Sequence, residues 1–269
     1  TARPIDGSSG PDIYVWHVGD DAARKVTDDG RSVFGSWIGD TVVASRAIDG
    51  AGTSTGLNAE AFLLDASTAA QTALPQTGSA WRPIVDPSGR RAVYWAGTLR
   101  GVDEHEFAPD GGRLVVGDWA IEPPSASARP SASADGSASA APSATALATD
   151  QARARHEATI GAGRIDDWDA RWDESGTHLA VWIADHENPA IGRLSLYAVS
   201  AFDGSIDLKN PLLAAQRAAA GFSISDDGLV WAEPSADPNA TEGSIHLLAW
   251  TAQGVGTVTT VSGPAIVIR

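Results

Sequence analysis

The sequence contains no cysteine and no methionine, and its six histidines lack the spacing of a metal site. Without cysteine, disulfides, thiol catalysis and cysteine-based zinc sites are all excluded. No run of eighteen apolar residues occurs, so no transmembrane helix is predicted within this chain. No cofactor is expected.

Basic residues are also scarce, with 19 Lys and Arg against 34 Asp and Glu, which gives a net charge of −15. This charge repels phosphate backbones and anionic membrane surfaces, so no nucleic-acid partner is predicted. The sequence opens at Thr1 without an initiator Met, and we expect a signal peptide, an anchor or another domain before it. Membrane association is expected only through such a segment, which this chain lacks.

What the sequence does contain is 43% hydrophobic residues, 28 Gly, 15 Pro and 10 Trp in 269 residues. This composition predicts one turn-rich, all-β domain spanning residues 1–269. Residues 123–149 differ, since they hold ten Ala, seven Ser and four Pro, with Leu147 as the only large apolar side chain. Such a segment cannot offset its ordering entropy by burial, so it is predicted to be a disordered insert, with a glycosylated or partner-binding stalk as the alternative.

A turn-and-strand unit recurs along the chain. Residues 86–95 and 173–182 both read D-x-S-G-x5-W, and residues 226–231 and 38–45 are weaker copies. Apolar residues around a Gly/Asp corner are typical of a β-hairpin. The unit ends in Trp95, Trp182 and Trp231, and this recurrence predicts that the three rings pack between repeats.

A second series of strand-like segments keeps the same step. Its equivalent residues are Ile13, Phe62, Leu114, Leu194 and Ile245, separated by 49, 52, 80 and 51 residues. Removal of the 27-residue insert reduces the third step to 53. A period of about fifty residues matches one four-stranded blade, so the sequence predicts a β-propeller of five four-stranded blades.

The innermost strand of each blade is predicted to precede the hairpin, at residues 33–37, 81–85, 168–172, 220–224 and 264–268. The last of these is expected to pair with the first strands near Ile13 and close the ring, which removes a free sheet edge. The insert is expected between the second and third full blades.

These units resemble the WD40-like repeats of TolB-type propellers, in which an aromatic residue precedes a Pro-Asp-Gly-like turn, an apolar strand and a strand that runs into an Asp. The best matches are Trp172, Asp173, Gly176 and Val181, followed by Asp86, Pro87, Gly89 and Val93. The resemblance covers most of the chain outside the insert and implies a propeller fold. It marks no contact residue of that family here.

The chain also resembles the outer domains of some bacterial anti-sigma regulators. That resemblance implies a bacterial, extracytoplasmic domain at the periplasm or cell surface, with a sensing or scaffolding role and a membrane anchor elsewhere in the full-length protein. The expected partner is a protein or a small-molecule or carbohydrate ligand.

The densest acidic cluster surrounds two tryptophans and comprises Asp166, Asp167, Asp169, Asp173 and Glu174. Strand alternation places Asp167, Asp169 and Arg171 on one face and Trp168 and Trp172 on the other. One interpretation is that the polar face lines the central channel and binds Ca²⁺ or a sugar through Asp167, Asp169 and Arg171. The preferred interpretation of this strand is a solvated end with an internal Asp/Arg pair.

Two enzymatic alternatives remain open. A five-bladed glycosidase would use carboxylates from different blades, with Asp86, Asp118 and Asp169 as candidates. A serine esterase would use Ser54, because residues 52–56 spell G-x-S-x-G. No alternating strand-and-helix pattern surrounds Ser54, so a non-catalytic binding domain is the preferred prediction.

Overall fold

The computed structural model describes residues 11–50, 56–74, 79–103, 106–119, 157–237, 242–251 and 254–264. All regular secondary structure among these residues is β-strand, which confirms the all-β class. The first two, Tyr14–Val15 (β1) and Arg24–Lys25 (β2), pair as an antiparallel hairpin, here called the N-terminal hairpin. Within the described part of the chain, no helix is long and apolar enough to cross a bilayer.

The other strands form four consecutive antiparallel blades. Blade 1 contains Ser32–Ile38 (β3), Thr41–Asp49 (β4), Leu57–Asp65 (β5) and Gln71–Ala73 (β6). Blade 2 contains Ala80–Val85 (β7), Arg91–Asp103 (β8), Glu106–Asp118 (β9) and Glu157–Ala162 (β10). Blade 3 contains Trp168–Trp172 (β11), His178–Ala184 (β12), Ile191–Ala198 (β13) and Leu213–Ala219 (β14). Blade 4 contains Ser223–Ser225 (β15), Gly228–Pro234 (β16), Glu242–Thr251 (β17), Gly254–Val255 (β18) and Thr259–Pro264 (β19).

Consecutive blades pack face to face through apolar side chains. In β8 of blade 2, Ala92 and Tyr94 share a buried cluster with blade 1. The alternate residues Val93 and Trp95 share another with Trp168 of blade 3. Strand alternation gives each sheet two apolar faces, so each blade needs a neighbour on both sides. Blades 1 and 2 are also joined at one point, where Leu57 of β5 pairs with Leu99 of β8. This stacking of blades of four or five strands is the β-propeller fold that the fifty-residue period predicts.

The N-terminal hairpin packs on blade 1 as a further blade would. Val15 and Val26 share a buried cluster with Phe62 and Leu64 of blade 1. The described residues therefore hold four complete blades and two strands in the position of a fifth. The inner strand predicted at 264–268 lies outside the described residues, except for Pro264, which ends β19.

The two ends of this stack carry exposed apolar side chains. On the far face of blade 4, Ile245 lies opposite Val261, which is 64% exposed. On blade 1, Phe34 and Trp37 lie opposite Ala44 and Val42, which places them on the side of the N-terminal hairpin, and both are exposed. These are the two faces that a complete fifth blade would contact.

Most strand predictions are confirmed, and the repeat is now assigned to particular strands. The predicted inner strands 33–37, 81–85 and 168–172 lie in β3, β7 and β11, whereas β15 begins only at Ser223 instead of residue 220. The second series proves to be the third strand of each complete blade, with equivalent residues in β5, β9, β13 and β17.

The repeated tryptophans are all buried, as expected, but they do not share one orientation. Trp182 faces blade 4, whereas Trp231 faces back towards blade 3 and packs in the same cluster. Residues 173–177 connect β11 to β12, but only residues 226–227 connect β15 to β16. The turn length is not the cause, because six residues lie between the paired Trp172 and Leu179 and two between the paired Ser225 and Gly228, an even difference. The inner strands differ instead: Asp169, opposite Trp182, lies on the face of β11 away from blade 2, whereas Phe222 and Ile224 pack with Trp231 towards blade 3.

The predicted position of the insert is wrong in one respect. Residues 123–149 themselves lie outside the described residues, but the strands on either side of them are described. Strand β9 precedes the segment and β10 follows it, and the two pair directly, with Glu157 opposite Gly117. The insert therefore lies inside blade 2, between its third and fourth strands, and not between two blades.

Candidate functional site

Polar side chains of the inner strands form the first candidate site. In β11, Trp168 and Ala170 are buried, while Asp169 and Arg171 point to the opposite, more exposed side. The Nε of Arg171 donates to Oδ2 of Asp169 at 3.2 Å. The structure therefore contains the internal Asp/Arg pair that was the alternative to a ligand site on this strand.

Arg82 of blade 2 joins this set, although nothing in the sequence pattern marked it. Its Nη1 donates to Oδ1 of Asp167 at 3.2 Å, and its guanidinium lies 5.0 Å from the ring centroid of Trp168. We call Arg82, Asp167, Asp169 and Arg171 the inner-strand site. It brings together residues of two adjacent blades, and it contains the three residues predicted for ligand binding.

The backbone of Arg82 is strained, with φ at +52° in the middle of strand β7. The pairing of β7 with β8 shifts register between Trp81 and Ile84, which is where this conformation occurs. The amide of Arg82 donates to the Ser45 hydroxyl of blade 1 at 2.9 Å. A non-glycine residue in this region costs about 1–3 kcal/mol, and such strain persists only where the surroundings fix it.

The predicted acidic cluster does not stay together in space. Asp166 pairs with His186 at 2.6 Å, and this hydrogen bond, followed by one from Arg164, lowers the pKa of the Asp166 carboxyl. Asp173 is buried in the turn between β11 and β12 of blade 3. Among the residues that the structure describes, no three His, Cys, Asp or Glu side chains are grouped so that they could hold a metal ion.

Asp173 shows what the Asp of the repeated turn does. Its Oδ1 accepts the amides of Thr177 and His178 at 2.7 and 3.0 Å, and Oδ2 contacts Nδ1 of His178 at 2.9 Å. Burial raises the pKa of this carboxyl, but the hydrogen bonds from His178 and Thr177 outweigh burial and hold the pKa at about 2. The carboxylate therefore closes the turn between the first and second strands.

Asp86 has the same role in blade 2. Its Oδ1 accepts the amides of Arg90 and Arg91 at 2.8 and 3.1 Å, and its Oδ2 accepts from Nη2 of Arg91 at 3.1 Å. The carboxyl is fully buried. Asp86, one of the three glycosidase candidates, is therefore committed to its own turn and is not exposed to a substrate.

A cleft of about 420 Å³ lies between blades 2 and 3, next to these turns. We call it the corner cleft. The connection between β13 and β14 forms one wall, and the end of β9 with the start of β10 forms the other. Its main lining residues are Arg91, Val116, Asp118, Glu157, Asp203 and Ile206.

Two enzymatic candidates can be placed relative to this cleft. Asp118 lines it, together with Glu157, whose carboxylate accepts from the hydroxyl of Tyr94 at 2.6 Å and pairs with Arg113 at 2.8 Å. Asp169 does not line the cleft, because it lies on the inner strand β11. Ser54 lies outside the described residues.

Sequence comparison identifies no relative, since no family model and no curated protein matches the chain. Among solved structures, the chain is similar to the β-propeller domain of the Trilobed protease from Pyrococcus furiosus. The TM-score is 0.45 with 9% sequence identity, covering 89% of this chain and 59% of the other. The chain thus spans less than two thirds of that structure's length, and no residue role is transferred from it. No family within the propeller fold is shown; the strand order and the packing of the blades make the chain an all-β propeller.

Proposed function

We propose that this chain is a non-catalytic binding propeller, the extracytoplasmic sensing or scaffolding domain of a bacterial membrane-anchored protein. The inner-strand site is proposed as its ligand-binding surface. A rigid stack of blades supports this role, because it holds side chains from different blades at fixed distances.

One observation carries the proposal, namely two arginine–aspartate pairs at neighbouring inner strands. Arg82 of β7 donates to Asp167, which directly precedes β11, and Arg171 donates to Asp169 within β11. The guanidinium of Arg82 lies over Trp168, and that of Arg171 lies 5.1 Å from the ring centroid of Phe222. Stacking on an aromatic ring restrains the plane of a guanidinium and so reduces the entropy lost when it binds a ligand. The site offers hydrogen-bond donors and acceptors side by side, which suits hydroxyl and carboxylate groups of a carbohydrate or a protein.

The direct test is ligand binding with matched arginine variants. Neutral and uronic-acid-containing oligosaccharides would be titrated by calorimetry into the wild type, Arg82→Ala and Arg171→Ala. We expect binding that each variant weakens at least about tenfold, as for loss of a charge-assisted hydrogen bond. Arg193→Ala is the control, because it removes an exposed arginine from β13. Equal weakening by Arg193→Ala would exclude the inner-strand site.

The non-catalytic part of the proposal has its own test. A panel of chromogenic glycosides and esters would be assayed with the wild type, Asp169→Ala and Ser54→Ala. We expect no turnover by any of them. Turnover that one of these variants abolishes would identify the chain as an enzyme.

A glycoside hydrolase is the second candidate, and the corner cleft is the observation that favours it. Asp118 and Glu157 are two of the three acidic residues that line the cleft, and glycosidases need two carboxyl groups flanking one bond. Glycoside turnover that Asp118→Asn and Glu157→Gln both abolish would support this candidate.

The cellular location is tested by the full-length gene product. A transmembrane helix behind a cytoplasmic segment would support a membrane-anchored regulator. An uninterrupted cytosolic enzyme domain would contradict it.

A further inference from the structure

The far face of blade 4 is an open sheet face, although apolar clusters cover the corresponding faces of the other three blades. Its exposed side chains are aliphatic, with Val261 64%, Ile245 45%, Leu247 42% and Val230 39% exposed. The strand pairing places these residues side by side, because Val230 lies opposite Leu247 and Ile245 lies opposite Val261. We call this surface the blade-4 end face.

No charged side chain lies on this face among the strand positions that the structure describes. The registers of β15, β16, β17 and β19 place only serine, threonine, alanine, glycine and proline beside the four aliphatic residues. Glu233 lies on the other face of β16, next to Trp231 in the strand. A sheet face in contact with water normally carries polar and charged residues, so this pattern indicates a face that is covered when the protein is at work.

The described part of the chain does not supply the cover. The N-terminal hairpin stands in the position of a fifth blade, but it packs on blade 1 through Val15 and Val26. The aliphatic side chains of the blade-4 end face remain exposed, with Val261 the most exposed of them.

Charge favours a second copy of this chain as the partner. Two copies with a net charge of −15 each repel one another wherever their charged surfaces meet. The blade-4 end face is uncharged, so two copies that meet there avoid this repulsion at the contact itself. Contacts between identical chains are also more apolar than contacts between transient, different partners, and this face is apolar throughout its centre.

The dimensions of the face fit a reversible contact. Four strands, of which β16 has 7 residues, cover about 19 by 23 Å at the usual strand spacing and rise per residue. Two such faces stacked as a β-sandwich would bury about 900 Å² in total, which is the size of a weak rather than a permanent complex. Ala232 lies opposite Ile245 and leaves room beside it for a side chain of the other copy.

We infer that the blade-4 end face is the contact between two copies of this chain, with Ile245 and Leu247 at its centre. A contact that uses the same face on both copies has two-fold symmetry and closes at the dimer. It is separate from the inner-strand site, whose residues lie on or next to β7 and β11.

The first test measures the association of the whole chain by sedimentation velocity, over about a hundredfold range of protein concentration, because mass action then carries a reversible dimer through its transition. We expect monomer at the lowest concentration and dimer at the highest. Residues 218–268 contain no Lys or Arg, so no ion pair joins two blade-4 faces. The Kd should therefore fall as NaCl is raised, because salt screens the repulsion between two acidic copies and leaves apolar packing intact.

Matched variants locate the contact. Ile245→Glu is expected to weaken the dimer at least about tenfold, because each copy would bring an unpaired carboxylate into an apolar contact. Val102→Glu is the control, since Val102 is 46% exposed against 45% for Ile245 and lies in β8 of blade 2. It adds the same charge away from the contact and should change the Kd less than about twofold.

A cross-linking test gives a readout that needs no added charge. The chain contains no cysteine, so Val261→Cys introduces a single thiol. With a bifunctional maleimide, Val261→Cys should give at least about fivefold more covalent dimer than Val102→Cys at the same protein concentration, because the contact raises the effective concentration of one thiol near the other.

Five results would overturn the inference. They are a monomer at every concentration, a dimer that salt dissociates, equal weakening by Ile245→Glu and Val102→Glu, equal cross-linking of the two cysteine variants, and species that grow beyond the dimer. A chain that dimerises only after deletion of residues 265–269 would assign the face to that segment, which also contradicts the inference. Melting temperatures establish that each variant is folded. The oligosaccharide titrations are decided separately, because they depend on Arg82 and Arg171.

Discussion

Replacement of Trp182 by alanine tests the packing between blades most directly. The ring is 1% exposed and lies in the apolar cluster that joins blades 3 and 4, and its Nε1 donates to the Ala218 carbonyl at 2.9 Å. Burial of about 150–250 Å² at about 25 cal/mol per Å² gives about 4–6 kcal/mol. Partial collapse of the cavity reduces this figure, so we expect a loss of about 3–5 kcal/mol in the free energy of unfolding.

The measurement is urea unfolding followed by circular dichroism, with two companion variants. Trp16→Ala is the control, because that ring is 55% exposed and its loss should cost no more than about 0.5 kcal/mol. Trp182→Phe keeps an aromatic ring but leaves the Ala218 carbonyl without its donor, so a loss of about 1–3 kcal/mol is expected. A loss below about 1 kcal/mol for Trp182→Ala, or equal losses for Trp182→Ala and Trp16→Ala, would refute the packing argument.

Three further predictions concern stability. The pKa of Asp173 is about 2 in the folded protein against an ordinary value of 3.8, so the stability that this carboxylate contributes is present above pH 4 and is lost as the pH falls towards 2. Between pH 7 and pH 3, the free energy of unfolding in urea should therefore fall by about 1 kcal/mol more in the wild type than in Asp173→Asn. Parallel pH profiles of the two proteins would contradict this prediction. Gly192→Ala should lower the free energy of unfolding by about 1–3 kcal/mol, because the new Cβ would lie 2.2 Å from the Ile183 carbonyl oxygen and 2.8 Å from the Trp182 ring. Gly101→Ala is the control, since a Cβ there meets no atom within 4 Å. Deletion of residues 123–149 should shift the melting temperature little, since Leu147 is their only large apolar side chain, and a large decrease by calorimetry would mean that the segment packs on the blades.

The strand repeat was predictable because it depends on local chemistry. Alternating apolar residues and Gly/Asp turns recur about every fifty residues, and each unit contains the residues that form its own turn and strand. Asp86 and Asp173 close their turns with amides no more than five residues away, so the motif itself contains the donors. The all-β propeller class follows from this pattern.

The orientation of Trp231 shows where the local pattern failed. Its sequence unit looks like a shortened copy of the others, but the inner-strand residues Phe222 and Ile224 face blade 3, and the ring packs on that same side. The position of the insert failed for a similar reason, because nothing in β10 marks it as the fourth strand of blade 2. Only its pairing with β9 makes that assignment.

The candidate sites depended on contacts between distant parts of the chain. The sequence alone placed Asp169 and Arg171 on one face of β11, since alternation within a strand is local. The contact of Arg82 with Asp167 joins residues 85 positions apart, and that of Arg91 with the Gly204 carbonyl joins residues 113 apart. The sequence by itself determined strands, turns and the repeat, because these follow from neighbouring residues; the tertiary structure alone decided which blade ends meet, because that depends on how whole sheets stack.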